Sequence, residues 1–138
     1  HELFAMLAAR ADVAAATVCA YGDIVVMRSA VRPRGVRGPL RLPAVVTDAA
    51  GVAFTVEPDP PHDSSADGSP VRVRCAAPYC LGGHLADLRA LGFRRFRVDF
   101  CYRDYPLAER ERVLAAVLSD APLPGTAAGN VEKGSRWS

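Results

Sequence analysis

Four side chains of ligand type fall close together: Cys75, Cys80 and His84, spaced C-x4-C-x3-H, with Cys101 a short way on. Thiolates and imidazole at short spacing can hold zinc or an iron–sulfur centre. This spacing matches no compact ligand motif, and Cys75 and Cys101 fall on apolar strand patterns, where cysteine behaves as a small hydrophobe. The expectation is therefore buried structural thiols, with no metal assigned. A second group, Arg28, Arg32, Arg34, Arg37 and Arg41 with Ser29 beside the first, offers guanidinium forks that match phosphate oxygens. The competing reading is a solvated loop. A third candidate is Asp99, as general base or as ligand to a polar substrate, with Arg97 two residues before it. Its bland alternative is an ion pair with Arg95, Arg97 or Arg103. Ser29, His84 and Asp87 are types a hydrolase uses, but the sequence has no G-x-S-x-G elbow.

These residues must be held by the elements around Leu85–Tyr105. Leu85, Leu88 and Leu91 recur at helical spacing, and Gly92 stands where a left-handed cap residue is expected. Phe96, Val98 and Phe100 then alternate with Arg95, Arg97 and Asp99, which is strand periodicity. A helix feeding a strand through so short a loop is half of an α/β unit. Asp104 and Pro106 mark the start of a further helix, whose buried face should be Leu107, Val113, Leu114, Val117 and Leu118.

Upstream, Glu2 to Ala11 reads as a helix and Thr17 to Ala20 as a short apolar piece. Tyr21-Gly22-Asp23 is a turn or bulge signal. Ile24 to Met27 is continuously apolar, the pattern of a strand covered on both faces in a parallel sheet, which would put Arg28 and Ser29 at a carboxyl end where ligands bind. Leu42–Thr47 and Val52–Glu57 flank Asp48-Ala49-Ala50-Gly51 and predict a β-hairpin. Pro58 to Pro70 has the composition of a disordered loop. Val71–Cys75 reads as another short strand. The expected organisation is one α/β segment over 1–120, with the hairpin at about 42–57 as an insert, and a polar tail over 121–138.

The 138 residues suffice for a real core, and half of them are hydrophobic. A net charge of +2 does not by itself imply a nucleic-acid partner. No apolar run is long enough to span a bilayer, and the first residues lack a signal-peptide pattern. A cytoplasmic setting with reduced thiols is expected.

In order along the chain come Tyr21-Gly22 with Val26-Met27-Arg28-Ser29, then Thr47-Asp48 with Gly51, then Leu88 with Leu91-Gly92 and Phe96-Arg97-Val98-Asp99. This ordered set resembles the C-terminal part of the collagenase-like peptidase family U-thirty-two. Gly129-Asn130 and Lys133-Gly134 resemble a glycine-containing motif near that family's end. The resemblance implies the closing strands and helices of a TIM-like barrel, with the hairpin inserted at its mouth; the alternative is a small self-standing α+β domain. It implies a protease, or a factor for hydroxylation of RNA bases or of a quinone precursor. A degenerate, non-catalytic binding or scaffold module is the other reading. Arg28, Ser29, Arg32, Arg34 and Arg97 would then bind RNA or a small anionic substrate, with Asp99 at the mouth. The earlier barrel strands, or a partner subunit, would complete the fold. Family members of the hydroxylating kind hold an iron–sulfur cluster, but where Cys-Pro is common in the family this chain has Arg32-Pro33.

Overall fold

The structure is a computed structural model that describes residues 2–9, 12–30, 34–35, 38–39, 41–59 and 70–128. In chain order its elements are α1 (Glu2–Ala8), β1 (Thr17–Gly22), β2 (Val25–Ser29), β3 (Arg34–Gly35), β4 (Gly38–Pro39), β5 (Ala44–Thr47), β6 (Ala53–Pro58), β7 (Val71–Cys75), β8 (Tyr79–Cys80), α2 (Leu85–Ala90), β9 (Arg95–Val98) and α3 (Leu107–Leu118). They fall into two compact units, His1–Asp23 with Pro78–Ser138, and Ile24–Ala77. The described residues are mixed α/β, with two small sheets, a two-stranded ribbon and three helices, and they form no closed barrel. Among them no helix is long and apolar enough to cross a membrane.

The first unit is built on β1. Its sheet runs β8-β1-β9, with β1 and β9 parallel and β8 antiparallel to the end of β1. The parallel register pairs Thr17 with Arg95, Val18 with Phe96 and Cys19 with Arg97, then slips at a bulge so that Tyr21 meets Val98. Period two does the rest. Val18, Ala20, Phe96 and Val98 join the core with Leu85, Leu88, Val113 and Val117 from the helices. Thr17, Arg95 and Arg97 are exposed on the other face. Helix α2 ends as its sequence predicts. Gly92 takes φ of 103°, its N–H bonds Arg89 O at 3.0 Å and the Phe93 N–H bonds Leu88 O at 3.1 Å, the paired closure that a left-handed glycine permits. Phe93 is then buried.

Helix α3 corrects the expected stripe. Val113, Ala116 and Val117 face the core, while Leu107 is 71% and Leu118 81% exposed and Leu114 is exposed as well. Ala116, with no side chain beyond its methyl, lets the helix approach on the Val113/Val117 side, turning the three leucines away. Residues after α3, expected as tail, continue to pack as far as the described chain runs. Leu123 is buried and Ala127 bridges Tyr79.

The second unit holds an antiparallel sheet of order β2-β7-β6-β5. The β5–β6 hairpin is the predicted one. Asp48 Oδ1 accepts from the N–H groups of Ala50 and Val52 at 2.9 and 2.8 Å, and Gly51 supplies φ of 83°. One face buries Val56, Val71 and Val73 against Leu42, Val46 and Phe54. The other carries Glu57, Arg72 and Arg74. The expectation of a doubly covered parallel strand at Ile24–Met27 fails: β2 is an antiparallel edge strand with Val26 and Met27 half exposed. A bulge between Val25 and Met27 inserts a residue, so the apolar run cannot keep one side inward. Of the loop expected to be disordered at 58–70, Pro58 ends β6 and the buried Asp59 donates its N–H to Pro70 O at 3.0 Å, so its two ends are held together; residues 60–69 lie outside the described residues.

Candidate functional site

In the first unit the carboxyl ends of β1 and β9 bring two acids together with their partners. The Asp99 N–H donates to Tyr21 O at 2.8 Å. Gly22 makes room for this: a Cβ there would lie 3.1 Å from Asp99 Cβ and 3.5 Å from Cys19 Sγ. The Cys19 thiol donates to Tyr21 O at 3.3 Å. Asp99 Oδ1 accepts from the Cys101 N–H at 3.0 Å, and its Oδ2 stands 3.4 Å from Arg97 Nη2. A hydrogen bond from the Cys101 thiol, outweighing partial burial, holds the Asp99 carboxyl below its ordinary range, with the Cys101 N–H and Arg97 adding to the effect. The same bond pushes the Cys101 thiol up, and Asp99's charge adds to that. Cys101 is exposed but kept protonated, and Asp99 is kept ionised.

Beside this lies a buried polar cluster built on Asp23, the residue after β1. The Asp23 side chain is 1% exposed. Its Oδ2 accepts from the Tyr105 hydroxyl at 2.5 Å and stands 3.5 Å from Arg103 Nε. Arg103 donates to Glu109 Oε1 at 2.7 Å and to the Tyr21 hydroxyl at 3.4 Å, and lies 4.0 Å over the Tyr105 ring. Tyr105 packs edge to face on Tyr21 and Phe100, whose own rings are tilted 53° to each other. Burial, then the bond to Asp23, raises the Tyr105 hydroxyl well above its ordinary value. Burial works against the charge on Arg103, but the Glu109 and Tyr105 contacts and the charge of Asp23 outweigh it, and the guanidinium is raised. A buried carboxylate is tolerable when so paired.

The candidates named from sequence are spread over both units. Arg97, Asp99, Cys101, Cys80 and His84 are in the first. Cys80 is buried, its Sγ accepting from the Gly82 N–H at 3.3 Å, and His84 directly precedes α2. Arg28, Ser29, Arg34 and Cys75 are in the second. Arg28 lies on β2 opposite Arg72, 62% exposed and 3.5 Å from Asp59 Oδ2. Ser29 ends β2, and Arg34 pairs with Pro39 in the β3–β4 ribbon. Arg28 and Ser29 thus sit on an antiparallel edge strand, not at the carboxyl end of a parallel one. Burial pushes the half-buried Cys75 thiol up. Arg32 and Arg37 lie outside the described residues. Among the described residues no group of three or more His, Cys, Asp or Glu is placed to hold a metal ion. Asp23, Tyr105 and Glu109 were missed from sequence as site residues and Tyr21 was read only as part of a motif, while Arg103, named as an ion-pair partner for Asp99, pairs with Asp23 and Glu109 instead.

Comparison with models of known protein families, with curated proteins and with solved structures finds no match for this chain.

Proposed function

We propose that the chain is the closing segment of a U-thirty-two-like barrel protein, and that its own contribution is to bind substrate rather than to attack it. What supports the reading is the parallel pairing of β1 with β9, α2 preceding β9 and α3 following it, with the core on one sheet face only. A parallel strand pair with helices packed on one face is the repeating unit of such a barrel, whose other strand face turns inward and is covered by the remaining strands. The other edge of β9 has no strand partner among the described residues, where further strands from the same protein or a partner subunit would add. Asp23 and Asp99 follow the carboxyl ends of the two strands, the side on which barrel proteins bind ligands.

The binding role follows from the state of the groups. A nucleophile needs an adjacent base or a lowered pKa. Asp99 instead keeps the Cys101 thiol protonated, and Cys101 makes Asp99 a weaker base. Peptide hydrolysis, or hydroxylation of an RNA base or quinone precursor, would take its reacting groups from elsewhere in the protein. Fluorescein-labelled gelatin tests this. The purified chain should release label no faster than buffer does. Release that disappears in Cys101→Ala or Asp99→Asn would overturn the binding reading and favour a peptidase.

A further inference from the structure

The face of the β1–β9 pair away from the core is cationic. Arg95 and Arg97 are two residues apart on β9, so both project from this face, about 7 Å apart along the strand. The register sets Thr17 beside Arg95 and Cys19 beside Arg97 on the neighbouring strand. The arginines cannot fold to the other side, because Val18, Ala20, Phe96 and Val98 pack into the core there. Arg97 is 64% exposed and is held loosely, 3.4 Å from Asp99. Arg95 is exposed and has no carboxylate partner among the described residues.

We propose that this face is a binding site for a phosphate group, gripped by the Arg95 and Arg97 guanidiniums, with the Thr17 hydroxyl as a third donor. Two planar forks at this spacing, on arms long enough to converge, match the oxygens of one tetrahedral dianion. A hydroxyl on the adjacent strand adds a neutral hydrogen bond. Asp99 is the opposing element: its carboxylate occupies Arg97 and repels an anion, so it sets the affinity. The site rests on the geometry of β1 and β9 and not on the family reading, under which this face would turn into the barrel; the gelatin assay and the binding assay fail separately.

Inorganic phosphate titrated into the 15N-labelled chain at 0.15 M salt tests the proposal. The expected result is saturable shifts of the Arg95 and Arg97 side-chain Nε–H signals, larger than those of the exposed Arg89 and Arg112. Arg95→Gln and Arg97→Gln should each weaken binding roughly fivefold, and Asp99→Asn should strengthen it by a similar factor. Both arginines are exposed, and an unchanged circular dichroism spectrum checks that the fold survives. Adenosine monophosphate distinguishes the sources: binding equal to or tighter than phosphate assigns a phosphate ester, and clearly weaker binding assigns the free ion. Shifts that do not saturate, or that are equal at all exposed arginines, overturn the site. So does Arg95→Gln or Arg97→Gln that aggregates without changing phosphate binding, since charged residues then serve only to guard an open strand edge.

Discussion

Tyr105→Phe isolates one hydrogen bond at the buried cluster. Phenylalanine keeps the ring that packs against Tyr21 and Phe100, at centroid distances of 6.2 and 4.9 Å, and the face that Arg103 covers. It removes only the hydroxyl that donates to Asp23 Oδ2 at 2.5 Å. Asp23 keeps Arg103, but at 3.5 Å that contact is a poor hydrogen bond. A hydrogen bond to a buried carboxylate contributes about 1.5–3 kcal/mol. With a urea m-value near 2 kcal/mol/M, that loss lowers the unfolding midpoint by about 1 M while leaving m unchanged. The cluster also sets an alkaline signature. The folded Tyr105 hydroxyl is raised, by burial first and by Asp23 second, whereas an unfolded tyrosine titrates near 10. The folded state holds this proton more tightly, so the contribution is complete below pH 10 and is lost as pH rises beyond it. Tyr79, pushed up to about 12 by burial and by Cys19 and Cys80, titrates in both proteins and cancels in the comparison. The Tyr105→Phe protein should therefore show the shallower fall in stability above pH 10. A midpoint within about 0.2 M of the parent, or parallel alkaline limbs, would refute the assignment of Asp23 to Tyr105.

Four further substitutions read other parts of the fold. Asp120 accepts from the N–H groups of Gly83, Leu85 and Ala86 at 2.8, 2.9 and 2.8 Å, capping α2 from outside the helix. Burial pushes its carboxyl up, but those three donors and Arg89 outweigh it and hold the pKa below the ordinary value. Its stabilisation is thus present above the unfolded carboxyl range near pH 4 and is lost as pH falls; Asp120→Asn should cost about 1 kcal/mol at pH 7 and flatten the acid limb of a thermal-melt series. Gly82→Ala drives a methyl into the Ala121 backbone carbonyl, which has no flexible end to yield, and should cost about 3 kcal/mol by urea titration. Gly51→Ala meets no atom and should cost only the strain of φ at 83°, about 1–2 kcal/mol. In the second unit Glu57 Oε1 receives Arg72 Nε at 2.7 Å and Arg74 Nε at 3.1 Å, all three side chains largely buried. Glu57→Gln should cost about 2 kcal/mol, below the range for losing a buried partner outright because the glutamine oxygen still accepts from the arginines, and hydrogen exchange in β6 and β7 should report it.

The elements with strong local chemistry were legible in the sequence. Gly92 after a leucine stripe, Asp48 to Gly51 between β-branched runs, and Pro106 before an amphipathic run each state a boundary in adjacent residues. What failed was the assignment of faces. Leu107, Leu114 and Leu118 are the largest apolar groups of α3, yet a stripe of smaller residues packs better against the sheet. Ile24 to Met27 is as apolar as a buried strand. Its environment is decided by pairing, among the described residues, with Val71–Cys75 on one side only and by the bulge at Val26, neither of which the run itself encodes.

The same limit explains the cluster at Asp23. Tyr105 and Asp23 are 82 positions apart, and so are Arg103 and Tyr21. Locally, Tyr21-Gly22-Asp23 has turn composition and Arg103 and Tyr105 flank a helix start. Only the parallel pairing of β1 with β9 converts these two local readings into one site, by setting the two carboxyl ends side by side. One signal was present: an aspartate directly after an apolar strand must lie near the core edge, where an unpaired carboxylate is too costly to keep. Its partners then have to be donors at the end of a neighbouring strand. Beyond Phe100 the candidates are few, and Arg103 and Tyr105 are the ones whose reach and chemistry satisfy a carboxylate. Pairing also separates the cluster's role from that of the arginine face. Asp23 is saturated by its own chain and fixes structure, whereas Arg95, with no carboxylate partner among the described residues, has charge left for a ligand.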